Sequence, residues 1–280
     1  MSRSLLLALG MLGLVVGVAL LADMIVPESP SRLGGVEETL LPPGPDHLLG
    51  TDALGRDLLA RLIHAARTSL LVGFASVAAA VLLGTIVGLA AGLGPRWLDR
   101  LLMGLTDLFL SFPRVILALL LVSLVEPSLS VVIVVIAVTG WMVVARLVRA
   151  EVLTLREREF ILSARGLGAR PVEVVWNHLL PHLLPLIVVA AALRLGNAIL
   201  MEAFLSFLGL GAQEPIVSWG AMIEHGRRHL LDGWWLATWP GLAISWTVVA
   251  VNLLGDALRD RHDAGPRGGE SHDPGSVAER

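Results

Sequence analysis

The chain is 280 residues long, 55% hydrophobic and only 16% charged, with a mean hydropathy of +0.76. Soluble domains are about 25% charged and 45–50% apolar, so this composition excludes a disordered or collagen-like chain and points to a membrane protein. Cysteine is absent and all 21 basic residues are arginine, which removes thiolate, Schiff-base and lysine-dependent P-loop chemistry, while a net charge of −3 gives no reason to expect nucleic acid.

A spanning helix needs about 20 mostly apolar residues, and six such windows follow one another along the chain. The first, residues 4–22, is closed by Asp23. No small-x-small cleavage site precedes Asp23, so the window reads as an uncleaved anchor rather than a secretory signal. Residues 27–45 are rich in Pro, Gly and acidic side chains and read as an extended loop. Thr51 can then cap a helix on which Leu54, Leu58 and Leu62 share a face, lying in the membrane surface or packed on the spans. The second span lies between Arg67 and Arg96, the third covers 101–125 with Asp107 and Arg114 inside it, and the fourth lies between Glu126 and Arg146. A fifth, 183–210, carries Arg194 and Glu202, and the sixth is 233–255.

The expected fold is therefore all-α and polytopic, with six transmembrane helices. Residues 1–66 hold the anchor, an extracytoplasmic loop and the surface helix; 67–258 form the core, with a cytoplasmic loop at 148–182; 259–280 form a disordered tail rich in Gly and Pro. With both termini inside, the cytoplasmic segments carry thirteen arginines and the outer ones six, the bias expected of a protein in a cytoplasmic membrane. Trp219, Trp234, Trp235 and Trp239 gather near the outer interface, where indole rings prefer to sit.

The loop between the fourth and fifth spans carries the sharpest pattern. A helix after Glu157 can end at Gly166 or Gly168, where glycine accepts the left-handed C-terminal conformation. Pro171 suits the first position of a second short helix, and Pro181 marks the return to the membrane. Such a helix–turn–helix forms a knob that a soluble partner can grip.

These residues resemble those of the inner-membrane permeases of binding-protein-dependent ATP-binding-cassette importers. Their loop has the form Glu-Ala-Ala, three residues, Gly, nine residues, Ile, any residue, Leu-Pro. Aligned on Gly168, this chain has Leu162, Ser163 and Ala164, then His178, Leu179, Leu180 and Pro181. The glycine, one alanine and the Leu-Pro pair match; the glutamate and first alanine do not, and His178 replaces isoleucine. The dipeptide, oligopeptide and nickel branch is similar at more places. They include the run from His47 through Leu-Leu-Gly-Thr-Asp-Ala-Leu-Gly-Arg to Asp57, Ala164-Arg165-x-Leu167-Gly168-Ala169, and His178-x-Leu180-Pro181, with His182 where asparagine is common. Residues 107–113, 205–211, 218–220, 239–241 and 252–256 agree in order as well.

The resemblance implies a type I importer permease fold, of the second permease subunit type, with Leu162, Ser163, Ala164, Arg165, Gly168, Ala169, His178, Leu180 and Pro181 in the coupling loop. It further implies separate ATPase subunits that bind ATP and Mg, a sister permease, an extracytoplasmic substrate-binding protein, and no catalytic residue or bound cofactor in this chain. Peptides are the implied cargo, with nickel or another small solute as the alternative. A rival from another class is a self-sufficient ion-coupled carrier, which usually shows internal repeats. None is detectable here.

Ionisable residues inside spans need a partner or a watery cavity. On one straight helix, Asp107 and Arg114 lie within about 20° of each other but about 10 Å apart along the axis, too far to pair. Asp107, Arg114, Arg194 and Glu202 are candidates for a substrate pathway or for pairing between helices or subunits. His225 and His229 have a four-residue spacing that can hold a metal if 222–230 is helical. Without a third ligand they read as surface residues, and no metal is expected.

Overall fold

In the computed structural model, which describes residues 3–263, the first apolar window forms α1 (Arg3–Leu20), followed by a single turn, α2 (Ala22–Ile25). The chain then crosses a loop and enters α3 (Leu58–Leu93), a 36-residue helix capped by Asp57, whose side chain accepts from Ala60 N–H at 2.8 Å. The structure thus differs from the expected surface helix: Asp57, not Thr51, is the cap, and one helix runs through the expected boundary at residue 66. Thr51 serves the preceding loop instead, where its hydroxyl accepts from Leu41 N–H at 2.8 Å and donates to the Glu38 carbonyl.

The third window is broken. α4 (Arg96–Ser111) and α5 (Arg114–Ser123) meet at 91° across Phe112 and Pro113. Proline offers no N–H and pushes the residue before it out of the helical region, and Phe112 is extended at φ −88°, ψ 137°. Asp107 and Arg114 therefore do not share a helix face, which corrects the straight-helix expectation. α6 (Leu129–Val138) and α7 (Trp141–Leu155) are separated only by Thr139 and Gly140 and together form one 27-residue span.

After α7 come α8 (Glu159–Gly166), α9 (Pro171–Val174), a wide helical turn at Val175–Leu179, and α10 (Leu180–Phe207). α9 to α10 count as one helical stretch of 37 residues, so Pro181, expected to mark the return to the membrane, lies within a continuous helical run. α11 (Trp219–Gly226) precedes α12 (Trp235–Asp263). Residues 259–263 are thus helical rather than tail, and the rest of the expected disordered tail lies outside the described residues. Among the described residues five helices are long and apolar enough to cross a membrane, and six spans result if the bent α4–α5 pair counts as one.

The bundle is built around α3. In lipid, helices gain nothing from hiding apolar surface from water, so close packing of small residues carries association. Gly84, Gly88 and Gly92 line one face of α3 and receive Val144, Val148 and Val152 of α7. A Cβ at Gly84 would lie 2.6 Å from that of Val144, and one at Gly88 would lie 2.7 Å from both Ala145 O and Val148 Cβ. At the far end of this contact Arg156 donates to Gly92 O at 3.1 Å, satisfying a carbonyl of the last turn of α3. At the near end Arg67 of α3 bonds Asp23 and Leu20 O, at 2.8 and 2.9 Å, holding the end of α1 beside the start of α3. The start of α1 and the loop after α7 consequently lie at the same end of the bundle.

Tryptophans at the opposite end act as pegs more than as interfacial rings. Trp219 and Trp235 are buried and donate to Leu62 O and Thr51 O, at 3.0 and 3.2 Å. Trp234 is exposed, and its ring meets Trp235 edge-on.

Candidate functional site

The loop after α7 folds into a two-armed elbow. α8 ends in a Schellman turn: Gly168 N–H bonds Arg165 O and Ala169 N–H bonds Ala164 O, both at 3.0 Å. Gly168 takes φ +88°, a conformation that disfavours any side chain, and a Cβ there would meet nothing within 4 Å. The second arm starts with Pro171 at its first position, and the Glu173 carboxylate accepts Arg170 N–H at 2.8 Å. Ile161, Val174, Leu179 and Leu183 are buried against Val144, Val148, Val152 and Leu155, locking the elbow to α7. Phe160 stacks on His182 with ring centroids 4.9 Å apart and lies 6.4 Å from the His178 ring. His182 Nδ1 donates to His178 O at 2.6 Å.

Within the expected coupling set, Leu162, Ser163, Arg165, Gly168 and Pro181 are exposed, while Ala164, Ala169, His178 and Leu180 are half-buried. The buried Ile161, Leu179 and Leu183 were not singled out by the motif, although their apolar character and flanking helices are visible in it. The outer surface is apolar at the wrong place for a soluble tip: Leu162, Leu167, Val172 and Trp176 are 54%, 89%, 65% and 67% exposed. Together they form an exposed apolar patch on an otherwise polar elbow.

The charged positions separate into different environments. Asp107 pairs with Arg146 of α7 at 2.5 Å, both more than half exposed. Arg149 of α7 forms a two-pronged pair with Asp99 of α4, one prong at 2.7 Å. Glu202 is buried and accepts from Ser206 at 2.7 Å and from Ser69 of α3 at 3.4 Å. Ser69 in turn accepts Trp219 N–H at 3.2 Å, so the carboxylate ties α10, α3 and α11 together. Arg194 donates to the Gly140 carbonyl and does not pair with Glu202.

A second cluster, which the arginine pattern alone did not reveal, forms from the run 47–57. Arg56 donates to Asp52 at 2.6 Å and to Glu214 at 2.9 Å; Arg61 donates to the same Glu214 oxygen at 3.2 Å. His47 bonds Asp57 at 2.9 Å. Burial works against the Glu214 carboxylate, but the charges of Arg61 and Arg56 and their hydrogen bonds outweigh it and hold its pKa below the ordinary glutamate value. This ionic clip fastens the segment before α3 to the α10–α11 loop. It borders a cavity of about 410 Å³ that His225 and His229 also line. α11 ends at Gly226 and a tighter turn, Arg227–His229, follows, so the two histidines are not on one continuous α-helical face. Among the described residues no three His, Asp or Glu side chains are grouped to hold a metal.

Residues 66–268 match the family described as binding-protein-dependent transport system inner membrane component. The dipeptide transport system permease protein DppC of Alkalihalophilus pseudofirmus is 41% identical over 79% of this chain and 73% of its own. The di/tripeptide transport system permease protein DppC of Pseudomonas aeruginosa is 39% identical over 89% and 84%, and the glutathione transport system permease protein GsiD of Pectobacterium atrosepticum is 38% identical over 89% and 83%. An inward-facing structure of the MetNI methionine ABC transporter has the same fold, with a TM-score of 0.60 and 21% identity over 72% of this chain and 97% of the other. The chain belongs to the inner membrane components of binding-protein-dependent transport systems.

Proposed function

We propose that this chain forms half of the translocation pathway for small peptides in an ATP-driven importer, paired with a sister permease. It is a multi-pass transport subunit rather than an enzyme, working with an ATPase and a substrate-binding protein. ATP and Mg would bind in the ATPase, which fits a chain with no lysine for a P-loop. The observation that carries the reading is the elbow: an apolar tip on a glycine turn with open space around it, anchored by buried residues to α7 and continuous with α10. Closure of an ATPase dimer beneath such a tip moves α7 and α10 with it and exchanges inward- and outward-open states. Peptide cargo is supported by relatives named for dipeptide, di/tripeptide and glutathione transport.

A cytoplasmic elbow and cytoplasmic termini are favoured by the arginine bias, and the elbow sharing one end of the bundle with the start of α1 supports this reading. The clip and α11 then face outward, towards the binding protein. The test is reconstitution in liposomes with the ATPase, sister permease and binding protein: peptide uptake should require ATP and every partner. Uptake by this chain alone on a proton or sodium gradient would overturn the proposal in favour of an ion-coupled carrier.

A further inference from the structure

Two arginines of the membrane helices, Arg114 and Arg194, are half-buried and have no carboxylate partner among the described residues. Arg114 is the first residue of α5, just past the 91° break, and its Nε is buried without a hydrogen-bond partner. Arg194 sits near the middle of the 28-residue α10 and reaches Gly140 O at the α6–α7 break. The positive charge of Arg114 acts on Arg194, and among the described residues no carboxylate acts on either. Other arginines of the bundle differ: Arg67, Arg146 and Arg149 each have an aspartate. The one acid buried in α10, Glu202, lies about 12 Å further along the axis and is taken by serines.

A cation at membrane depth is costly, and a second beside it adds repulsion that an anion relieves. Broken helices at that depth are tolerated where they line a wet cavity; Arg114 follows one such break and Arg194 reaches a carbonyl at another. A cavity of about 430 Å³ is lined by Arg194 and by Arg259 of α12, and otherwise by apolar side chains such as Val143, Leu147, Leu186 and Leu193. That volume falls in the usual range for small-ligand sites. An acid fixed in a neighbouring subunit would need no cavity; a mobile anion does.

We infer that Arg114 and Arg194 form a carboxylate-recognition site within the membrane, engaged in transit by the C-terminal carboxylate of the cargo. This rests on the reading of the chain as half of a peptide pathway. A small peptide brings one carboxylate whatever its side chains, so one cationic site serves many sequences.

The complete transporter, reconstituted in liposomes with saturating binding protein, is supplied with a pool of di- and tripeptides. The pool is prepared once as free acids and once as C-terminal amides, and mass spectrometry of the lumen gives turnover. Wild type should favour the free acids by about tenfold or more, the scale of a charge-assisted hydrogen bond. Arg114→Gln and Arg194→Gln should bring the acid-to-amide ratio close to one, with ATP hydrolysis continuing, while Arg194→Lys keeps most of the preference. An unchanged ratio in both Gln variants would refute the site. So would equal loss of both pools together with dissociation of the complex, which would assign the arginines to an acid of the sister permease. Failure of wild type to import either pool would overturn the peptide reading itself, and this inference with it.

Discussion

Gly168 offers the most direct test of the elbow because its cost can be separated from side-chain packing. Its φ of +88° is left-handed, and a Cβ added there would touch nothing within 4 Å. A substitution therefore pays only in backbone strain, about 1–2 kcal/mol for an ordinary L-residue. Asparagine, which visits this region more readily than other side-chain-bearing residues, should cost less than that. Valine should cost more than alanine, since branching makes φ > 0 an outlier. Proline cannot reach +88° and also removes the Gly168 N–H bond to Arg165 O, costing about 3 kcal/mol or more. A penalty of 1–2 kcal/mol lowers the population of the native turn by a factor of about 5–30. The buried contacts of Ile161, Leu179 and Leu183 are untouched, so the spans should still assemble. Peptide imported per ATP hydrolysed, measured in proteoliposomes, should follow Gly, Asn, Ala, Val, Pro in falling order, with hydrolysis retained. Full uptake by Gly168→Val and Gly168→Pro, or a Gly168→Asn defect as deep as that of Val, would refute the reasoning.

Three further outcomes follow from packing and charge. Gly88→Ala drives a methyl against a backbone carbonyl and should destabilise the complex by about 1–3 kcal/mol, with little relief from Val148→Ala. Gly73→Ala instead meets only the side chains of Ile199 and Leu195, at 2.8 and 3.3 Å, so Ile199→Ala should cancel most of its cost in a thermal double-mutant cycle. The clip should loosen in acid. Because Arg61 and Arg56 hold the Glu214 pKa below its reference of 4.5, its contribution is complete above that value and fades as pH falls through the lowered one. Hydrogen exchange at residues 209–218 should rise over that window in wild type and stay flat in Glu214→Gln; identical profiles would remove Glu214 from the clip.

Much of the architecture could be read from apolar run lengths, and the elbow from Gly168, Pro171 and the Leu180-Pro181 pair. Breaks and mergers were less legible because composition stays apolar across them. Pro113 ends a helix while Pro181 and Pro185 sit within one, and what differs is whether neighbouring groups take up the freed carbonyls, which is tertiary information. Thr51 has the chemistry of a cap and is used as a loop fastener. The spacing of Gly84, Gly88 and Gly92 is visible in the sequence, but that it receives three valines of α7 depends on which helix lies opposite. Arg56, Arg61 and Glu214 are brought together across more than 150 residues, beyond the reach of any local pattern. Glu202 was recognised as costly, yet of its serine partners Ser206 lies one turn along the same helix and Ser69 comes from α3.

The unbroken stretch from Pro171 to Phe207 has a mechanical consequence. Thirty-seven helical residues make a beam about 55 Å long, stiff between its ends. One end carries the exposed Trp176, the middle carries Arg194, and the far end carries Glu202 with Ser206 and Ser69 bound to it. A beam held near its centre by α3 and α12 must swing its ends in opposite directions. If the elbow takes the stroke of an ATPase as proposed, that stroke would close one mouth of the pathway as it opens the other, without any signal passing from side chain to side chain. The only compliant points along it are the wide turn at Val175–Leu179 and Pro185, both on the elbow side of Arg194. Flexibility introduced beyond Arg194 would let the tip move while the far mouth stayed shut.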